Sequence, residues 1–453
     1  MPDPASSLVV PSLQRVIGMR GLAAAIFNIT VGAGIFVLPA HAAGQLGAAA
    51  PLAYVVCAVA TALVALCFAE AGSRVPQSGG PYAYVEVALG PYVGFLCGVL
   101  LWLGITLAMA AVAMVFRDAL SNLVPAFAGT VPRTAVPVAL VAALALVNVR
   151  GTALGSRLSG ISTLAKLVPL LAFVVLGLPH VHAANLAFTG VPPLGKVGEA
   201  GLLLMFAFFG MESALQISGE VTNPARSVPR AIALALGGVA LLYILVQLVA
   251  QGVLGSALAL PESAQAPLAV AAERFAGAAG ARLILIGMIV STFGFMTATM
   301  LSTPRTLFAL AGDGFLPRYL ANVHPEHRTP HVAIAVQAVI VCAVALTGTY
   351  VRLALMADVA ILLVYLACCV GAGRLRRLNA GAAGEPFLMP AGAVVPWVAA
   401  ALIVGLLALA SAEAWLLTGA VAAAASLLYL AQRRRGLRTS QSQRSSENGK
   451  HTA

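Results

Sequence analysis

Two ionisable side chains interrupt long apolar stretches of this sequence. Lys166 lies within residues 161–169 and Glu212 within residues 204–213, where most neighbours are aliphatic or aromatic. An ion in such surroundings is costly unless it is paired, so residues of this kind usually face a cavity. Apolar surroundings also favour the neutral form, which allows each group to take up and release a proton. Lys166 and Glu212 are therefore candidate proton-coupling residues.

Both residues also have plainer explanations. Lys166 is near enough to the inner end of its segment for its ammonium to extend to the interface. It can also occupy the place where another carrier holds a sodium ion. Glu212 can cap the helix that follows, because an acid near a helix N-terminus is favourable, and its charge can attract a cationic ligand.

Glycines break two of the apolar segments. Residues 26–44 contain Gly32 and Gly34, followed by Pro39, and the segment with Glu212 contains Gly210. In lipid, a freed backbone group finds no water, so a break persists only where protein or a wet cavity covers it. A single break is explained by a kinked helix, since glycine is common in membrane helices. Two breaks at corresponding positions indicate a binding site for a polar ligand.

The elements that carry these residues must be membrane helices. Of 453 residues, 60% are hydrophobic and only 9% charged, whereas soluble proteins carry about 25% charged residues. A span needs about 20 mostly apolar residues. The sequence predicts an all-α polytopic membrane protein with about 12 transmembrane helices. The predicted spans are 17–44, 48–72, 90–116, 134–150, 157–178, 198–220, 230–254, 281–311, 330–348, 352–372, 393–411 and 413–431.

The basic residues predict the orientation. With both termini inside, 19 of the 26 Lys and Arg residues fall on inner segments and 6 on outer ones, as the positive-inside rule requires. We therefore predict a multi-pass protein of the cytoplasmic membrane, with a cytoplasmic segment at 1–16 and a disordered cytoplasmic tail at 432–453. The net charge of +11 does not indicate nucleic acid, because the basic residues lie in short loops.

The remaining polar residues predict no enzyme, cofactor or metal. The seven histidines lack ligand spacing, and the six cysteines lie inside apolar stretches without a CxxC pair, which favours buried thiols. Asp358 lies near the start of the tenth span, close to the outer face, so we favour an interfacial position over a substrate-selecting role, and its role stays open. Phe206 is either an ordinary core aromatic or a ring that closes over a bound ligand.

Motifs along most of the chain resemble those of bacterial amino acid–polyamine–organocation transporters. These motifs lie at 32–39, 69–70, 76–84, 90–91, 206–213, 219–224, 304–305, 312–317 and 329–330. Lys166 also matches a lysine in the fifth span of many sodium-independent members. Phe206 falls where some exchangers carry an occluding tryptophan, which weighs against an arginine or agmatine exchanger. Glu212, however, matches an acidic position of those exchangers.

The resemblance implies a five-plus-five inverted-repeat core at 17–178 and 198–372, with discontinuous first and sixth helices and two extra helices at 393–431. It implies that the α-carboxylate and α-amine of a substrate bind backbone groups at the two breaks. Half-helix N-termini attract a carboxylate, and freed carbonyls accept from an ammonium. The implied substrate-binding residues are Ile29, Thr30, Gly32, Ala33, Gly34, Phe206, Phe209 and Gly210.

The expected function is a secondary active amino acid transporter that works by alternating access, by proton coupling or by exchange. Neutral L-amino acids are favoured because Glu212 is the one obvious acid of the pocket; a carrier of cationic amino acids or polyamines is the alternative. A membrane sensor would need an output domain, and the 22-residue tail is a poor one. A membrane enzyme would need a nucleophile–base spacing, and none is visible. A channel is disfavoured because the polar groups do not form rings. The individual substrate, the coupling ion and the oligomeric state stay open.

Overall fold

A computed structural model describes residues 17–75, 79–151, 162, 165–187, 190, 192–312, 314–379 and 385–450, without the side chains of 217–219 and 433–450. The predicted N-terminal segment 1–16 lies outside the described residues. So do positions 76–78 of one motif and most of 157–164 in the fifth predicted span.

The described part of the chain is helical, apart from short turns and one isolated bridge between Ile17 and Val221. Its α-helices are α1 Met19–Thr30, α2 Gly34–Leu46, α3 Ala50–Arg74, α4 Pro81–Leu89, α5 Pro91–Leu123, α6 Thr130–Arg150, α7 Leu167–Gly177, α8 Leu194–Phe208, α9 Met211–Ala214, α10 Pro224–Leu254, α11 Pro267–Ser302, α12 Pro304–Gly312, α13 His331–Ala345, α14 Tyr350–Arg377, α15 Val395–Leu407 and α16 Ala412–Lys450.

The helices have the length and composition of membrane spans. Eight helical segments among the described residues are long and apolar enough to cross a membrane, and three shorter apolar helices accompany them. Large apolar side chains are exposed along their outer faces, for example Val59 on α3 and Leu241 on α10. A polytopic membrane protein is thus confirmed. Each of the twelve predicted spans contains a described helix, while the count of twelve and the inverted repeat remain predictions.

Both predicted breaks interrupt helices. α1 ends at Thr30 and α2 begins at Gly34, with three non-helical residues between them. α8 ends at Phe208 and the short α9 begins at Met211. Between these two helices, Gly210 has φ +137°, a conformation that other residues rarely adopt. α2 packs against α8, and α1 packs against α9, so the two broken helices lie side by side.

One predicted feature differs from the structure, and another remains a prediction. Asp358 is completely buried within α14, so its predicted interfacial position is wrong. α14 begins at Tyr350 and packs against α3, α5 and α8, and these neighbours cover a position that sequence depth alone places near the surface. The last helix, α16, extends to Lys450. Disorder of the tail at 432–453 remains a prediction.

Candidate functional site

The residues singled out at the two breaks line one cavity. All eight predicted substrate-binding residues and Glu212 contribute to its wall. Lys166 lies behind the first break instead and does not line the cavity. Residues of two segments distant in sequence thus meet in one cavity, and their role in substrate binding remains a prediction.

Lys166 holds the first break from behind. Its ammonium donates hydrogen bonds to Asn28 O at 2.6 Å and to Val31 O at 2.7 Å. The side chain is completely buried, which excludes the interfacial position considered above. Charge-assisted hydrogen bonds of this length are the strong ones. The ammonium thus satisfies carbonyl groups that the end of α1 leaves without helical partners.

Two hydroxyl groups from other helices complete this support. Ser291 Oγ on α11 lies 3.1 Å from Val31 O and 3.0 Å from Gly32 O. Tyr243 Oη on α10 donates to Thr30 O at 2.9 Å. Three separate segments therefore fix the carbonyl groups of the first break in one arrangement.

A local carboxylate and one tyrosine hold the second break. Glu212 Oε2 accepts a hydrogen bond from Gly210 N at 2.9 Å and another from Tyr365 Oη at 2.7 Å. Glu212 thus binds an N–H group at the start of α9, as expected of a helix cap. The side chain is buried, and these two donors commit its Oε2 within the protein.

Glycine lets the two breaks approach each other closely. A methyl group at Gly210 would lie 2.6 Å from Thr30 N, and one at Gly34 would lie 2.9 Å from Ala207 Cα. Both distances are shorter than van der Waals contact, so these positions accept no side chain without a shift of the backbone. The backbone of each break therefore forms part of the other's surroundings.

The rest of the cavity wall is almost entirely apolar. It comes mainly from α5, α11 and α14 and comprises Gly104, Ile105, Ala108, Val112, Phe295, Ala357 and Ile361, with Ser213 and Thr299 as further hydroxyl groups. Thr30 Oγ1 is buried without a described hydrogen-bond partner. The wall therefore offers hydrogen-bonding groups near the breaks and an aliphatic surface opposite them.

The cavity is small, and the ring of Phe206 in its wall packs against another aromatic ring. Its volume is about 30 Å³, room for about two waters. The ring of Phe206 meets that of Tyr350 edge to face, with centroids 5.7 Å apart. A cavity of this volume cannot hold an amino acid, so binding requires its walls to move apart.

The sequence analysis missed Tyr243, Tyr365 and most of the apolar wall. A tyrosine inside an apolar span is itself a signal, because its buried hydroxyl group needs a partner. Tyr243 and Tyr365 both fit that description. The aliphatic wall carries no such signal, since its residues resemble those that face lipid.

Comparison with known proteins agrees with this geometry. Residues 17–431 match the amino acid permease family model. The chain is 30% identical over 338 residues to the serine/threonine exchanger SteT of Bacillus subtilis, which covers 72% of this chain and 75% of the relative. It is 29% identical over 340 residues to the branched-chain amino acid permease BcaP of Bacillus subtilis, covering 71% and 72%.

A third relative, the methylthioribose transporter of Bacillus subtilis, is 30% identical over 337 residues, covering 70% of this chain and 72% of the relative. These matches define a membrane transporter rather than an enzyme, as the sequence predicted. The chain belongs to the amino acid permease family, within the amino acid–polyamine–organocation superfamily that its motifs resemble.

Proposed function

We propose that this protein is a secondary active transporter of neutral L-amino acids in the cytoplasmic membrane, with both termini in the cytoplasm. It works by alternating access around the cavity between the two breaks. The observation that carries the proposal is the convergence of residues 29–34 and 206–210 on one cavity wall. Their positions fit a five-plus-five inverted repeat whose first and sixth helices are discontinuous.

The backbone supplies the groups that recognise an amino acid. The first N–H groups of α2 have no intrahelical acceptor, and they present the positive end of the helix dipole to the cavity. We assign the α-carboxylate to this end, near Gly34. The last carbonyl groups of α8, around Phe206, have no intrahelical donor. We assign the α-ammonium to them, because the carbonyl groups of residues 28 and 30–32 already accept hydrogen bonds from the protein.

The wall and the state of Glu212 favour a neutral side chain. Ile105, Val112 and Ile361 present aliphatic surface where the substrate side chain extends. Glu212 is the acid that a cationic substrate requires, yet it accepts from Gly210 N and Tyr365 Oη. Among the described lining residues Glu212 is the one acid, and both donors bind its Oε2, so a cationic substrate would have only Oε1 to bind; a cationic amino acid or a polyamine is therefore the alternative.

Transport proceeds by proton coupling or by exchange, and Lys166 and Glu212 remain the proposed proton-linked groups. Release of a proton from Lys166 weakens its hold on Asn28 O and Val31 O, which couples protonation to the shape of the first break. A proton on Glu212 changes its hydrogen bond with Tyr365 in the same manner. The proton role of Lys166 is wrong if Lys166→Ala leaves proton-driven uptake at the wild-type rate.

The first experiment is thermal unfolding of the purified protein with each amino acid, polyamines and methylthioribose. A ligand that binds only the folded state raises the melting temperature by mass action. Ligands that do so are then tested by counterflow of the radiolabelled compound in proteoliposomes. We expect stabilisation and saturable, stereoselective counterflow with a few neutral L-amino acids.

Stabilisation and counterflow with arginine or polyamines alone would replace the proposal by the cationic alternative. Counterflow of methylthioribose without any amino acid would move the substrate class outside amino acids. Absence of counterflow with every compound would refute transport of these classes.

A further inference from the structure

Asp358 is a buried carboxyl group that the proposed transport cycle does not use. Its exposed fraction is 0%, and no described residue donates a hydrogen bond to either of its oxygens. No described basic side chain forms an ion pair with it. This distinguishes it from Glu212 and from Lys166, each of which has two partners within the protein.

Among the described residues, no positively charged group on the helices that pack against α14 acts on Asp358. The ionisable groups within electrostatic range are the Cys57 thiol of α3 and the Tyr350 hydroxyl of its own helix. Tyr54 of α3 and Tyr243 of α10 extend this cluster. Both the Tyr54 and the Tyr350 hydroxyl groups are buried without a described partner.

The described charged side chains of the neighbouring helices are exposed, partly exposed or already paired. On α8 these are Lys196 and Glu199. The pairs Arg352–Glu413 and Arg117–Asp118 are already formed. On α3, Glu70 and Arg74 pair with each other at the end of the helix remote from Cys57. On α4, Glu86 is partly exposed. The described helix α15 carries no ionisable side chain.

An unpaired carboxylate in this position is costly, because burial removes its hydration and no counter-charge replaces it. The neutral acid costs much less. The closed arrangement therefore holds Asp358 with a proton. When water reaches the group, the ionised form becomes accessible again.

Asp358 lies deeper along α14 than the contact between Phe206 and Tyr350. Tyr350 begins α14, and Asp358 lies eight residues further along the same helix, about 12 Å deeper. Ala357, the preceding residue, lines the cavity itself. Because Phe206 and Ala357 both line the cavity, we infer that separation of Tyr350 from Phe206 widens the cavity and gives water access to Asp358. The predicted orientation places this contact between Phe206 and Tyr350, the outer closure, at the outer surface.

We propose that Asp358 is a proton-binding site of the outer closure. Its carboxylate takes one proton from the outer solution as Tyr350 and Phe206 come together, and it returns that proton to the same solution when they separate. The proposal rests on the alternating access and the orientation proposed above. Outer pH then controls how often the cavity opens outward, and low pH favours the closed form.

Cys57 provides a native reporter for the test. Its side chain is 2% exposed, and its thiol donates to Gly201 O between α3 and α8. Intact protein in proteoliposomes is treated with a membrane-impermeant maleimide at outer pH 5 to 8, with inner pH fixed. Peptide mass spectrometry then measures labelling of Cys57 alone. Each value is divided by the labelling of detergent-unfolded protein at that pH, which removes the pH dependence of the thiol reagent.

The normalised labelling of the wild type should fall as outer pH falls, by up to about tenfold per pH unit, the limit for one proton. Asp358→Asn resembles the protonated acid and should show low labelling that does not vary with pH. Asp358→Ser also binds no proton, so its labelling should not depend on pH. This variant replaces Asp358→Asn in the test if the asparagine variant does not fold. The control Glu199→Gln, which removes an exposed acid of α8, should keep the wild-type slope.

A wild-type labelling ratio that is constant with pH would overturn the proposal, and so would a wild-type slope retained in Asp358→Asn or Asp358→Ser. Counterflow of a labelled neutral amino acid in the same vesicles separates the two proposals. Counterflow without pH-dependent labelling overturns the proton site and leaves the transport function standing. Labelling that depends on pH, without counterflow of any amino acid, refutes the transport function and leaves the proton site standing.

Discussion

The two helix breaks are held in different ways. Lys166, Ser291 and Tyr243, from three segments remote in sequence, hold the first break through its carbonyl groups. The second break is held by Glu212, two residues beyond Gly210, and by one remote hydroxyl group, Tyr365. The first break thus depends on the buried ammonium of Lys166, which comes from a segment remote in sequence, whereas the second depends largely on the carboxylate of Glu212 within the break itself.

This difference assigns different tasks to the two breaks. A network of three remote groups fixes the first break firmly, and we infer that it is the stationary side of the site. The second break has fewer supports and adjoins Phe206, a residue of the cavity wall whose ring contacts Tyr350. We infer that it is the side that moves. Substitutions at the first break should therefore affect folding and transport together, while those at the second should chiefly affect transport.

The largest effect is expected from Lys166→Met, which keeps much of the side-chain length but removes the ammonium. It eliminates two charge-assisted hydrogen bonds, each worth about 1.5–3 kcal/mol. We expect a large fall in melting temperature and loss of uptake in proteoliposomes. Lys196→Met, at an exposed position of α8, is the control and should leave both unchanged. A Lys166→Met protein of wild-type stability would show that the first break does not depend on its cation.

Gly34→Ala should follow in size. The added methyl group would lie 2.9 Å from Ala207 Cα, so α2 and α8 must move apart, at a cost of about 1–3 kcal/mol. Counterflow should fall strongly because this separation occurs at the cavity. Gly44→Ala in the same helix is the control, since nothing lies within 4 Å of its added methyl group. Equal activity of the two variants would argue against close contact between the breaks.

A smaller effect is expected from Tyr365→Phe at the second break. It removes one hydrogen bond to Glu212, worth about 1–3 kcal/mol, and should reduce counterflow more than melting temperature. Tyr54→Phe is the matched control, because the Tyr54 hydroxyl is buried without a described partner and its removal should be neutral or stabilising. A Tyr365→Phe protein as destabilised as Lys166→Met would contradict the inferred difference between the breaks.

Ser291→Ala should have the smallest effect, about 0.5–1.5 kcal/mol in unfolding free energy. Val31 O keeps Lys166 as a donor in this variant, so uptake should persist. Thermal unfolding of the two single variants and the double variant Lys166→Met/Ser291→Ala measures their coupling. Strictly additive effects would show that the two groups do not act on the break together.

Sequence reasoning located the two breaks because glycines interrupt apolar spans at corresponding positions, and ionisable residues are unusual inside such spans. It assigned Lys166 and Glu212 to buried positions for the same reason, and it predicted helices near their observed places. Tyr243 and Tyr365 went unnoticed because their partners lie 213 and 153 residues away in sequence. Only the packing of the helices reveals which tyrosine reaches which carbonyl or carboxylate group.

Asp358 shows the limit of reading depth from sequence. Counting residues from the start of a span gives a position along the helix axis, but it does not show which neighbouring helices cover that position. The aliphatic wall of the cavity poses a similar difficulty. Ile361 faces the cavity while Leu241 is exposed on the outer surface of α10, and their composition does not distinguish these two surroundings.

The most direct test of the central claim, that the two breaks jointly bind an amino acid backbone, is binding to substrate analogues. Equilibrium affinity is measured for the best neutral L-amino acid, for its α-amide and for its deaminated acid. Because each break recognises one end, we expect both analogues to bind at least about 100-fold more weakly, as sites built on hydrogen bonds discriminate. Wild-type affinity for either analogue would contradict the account.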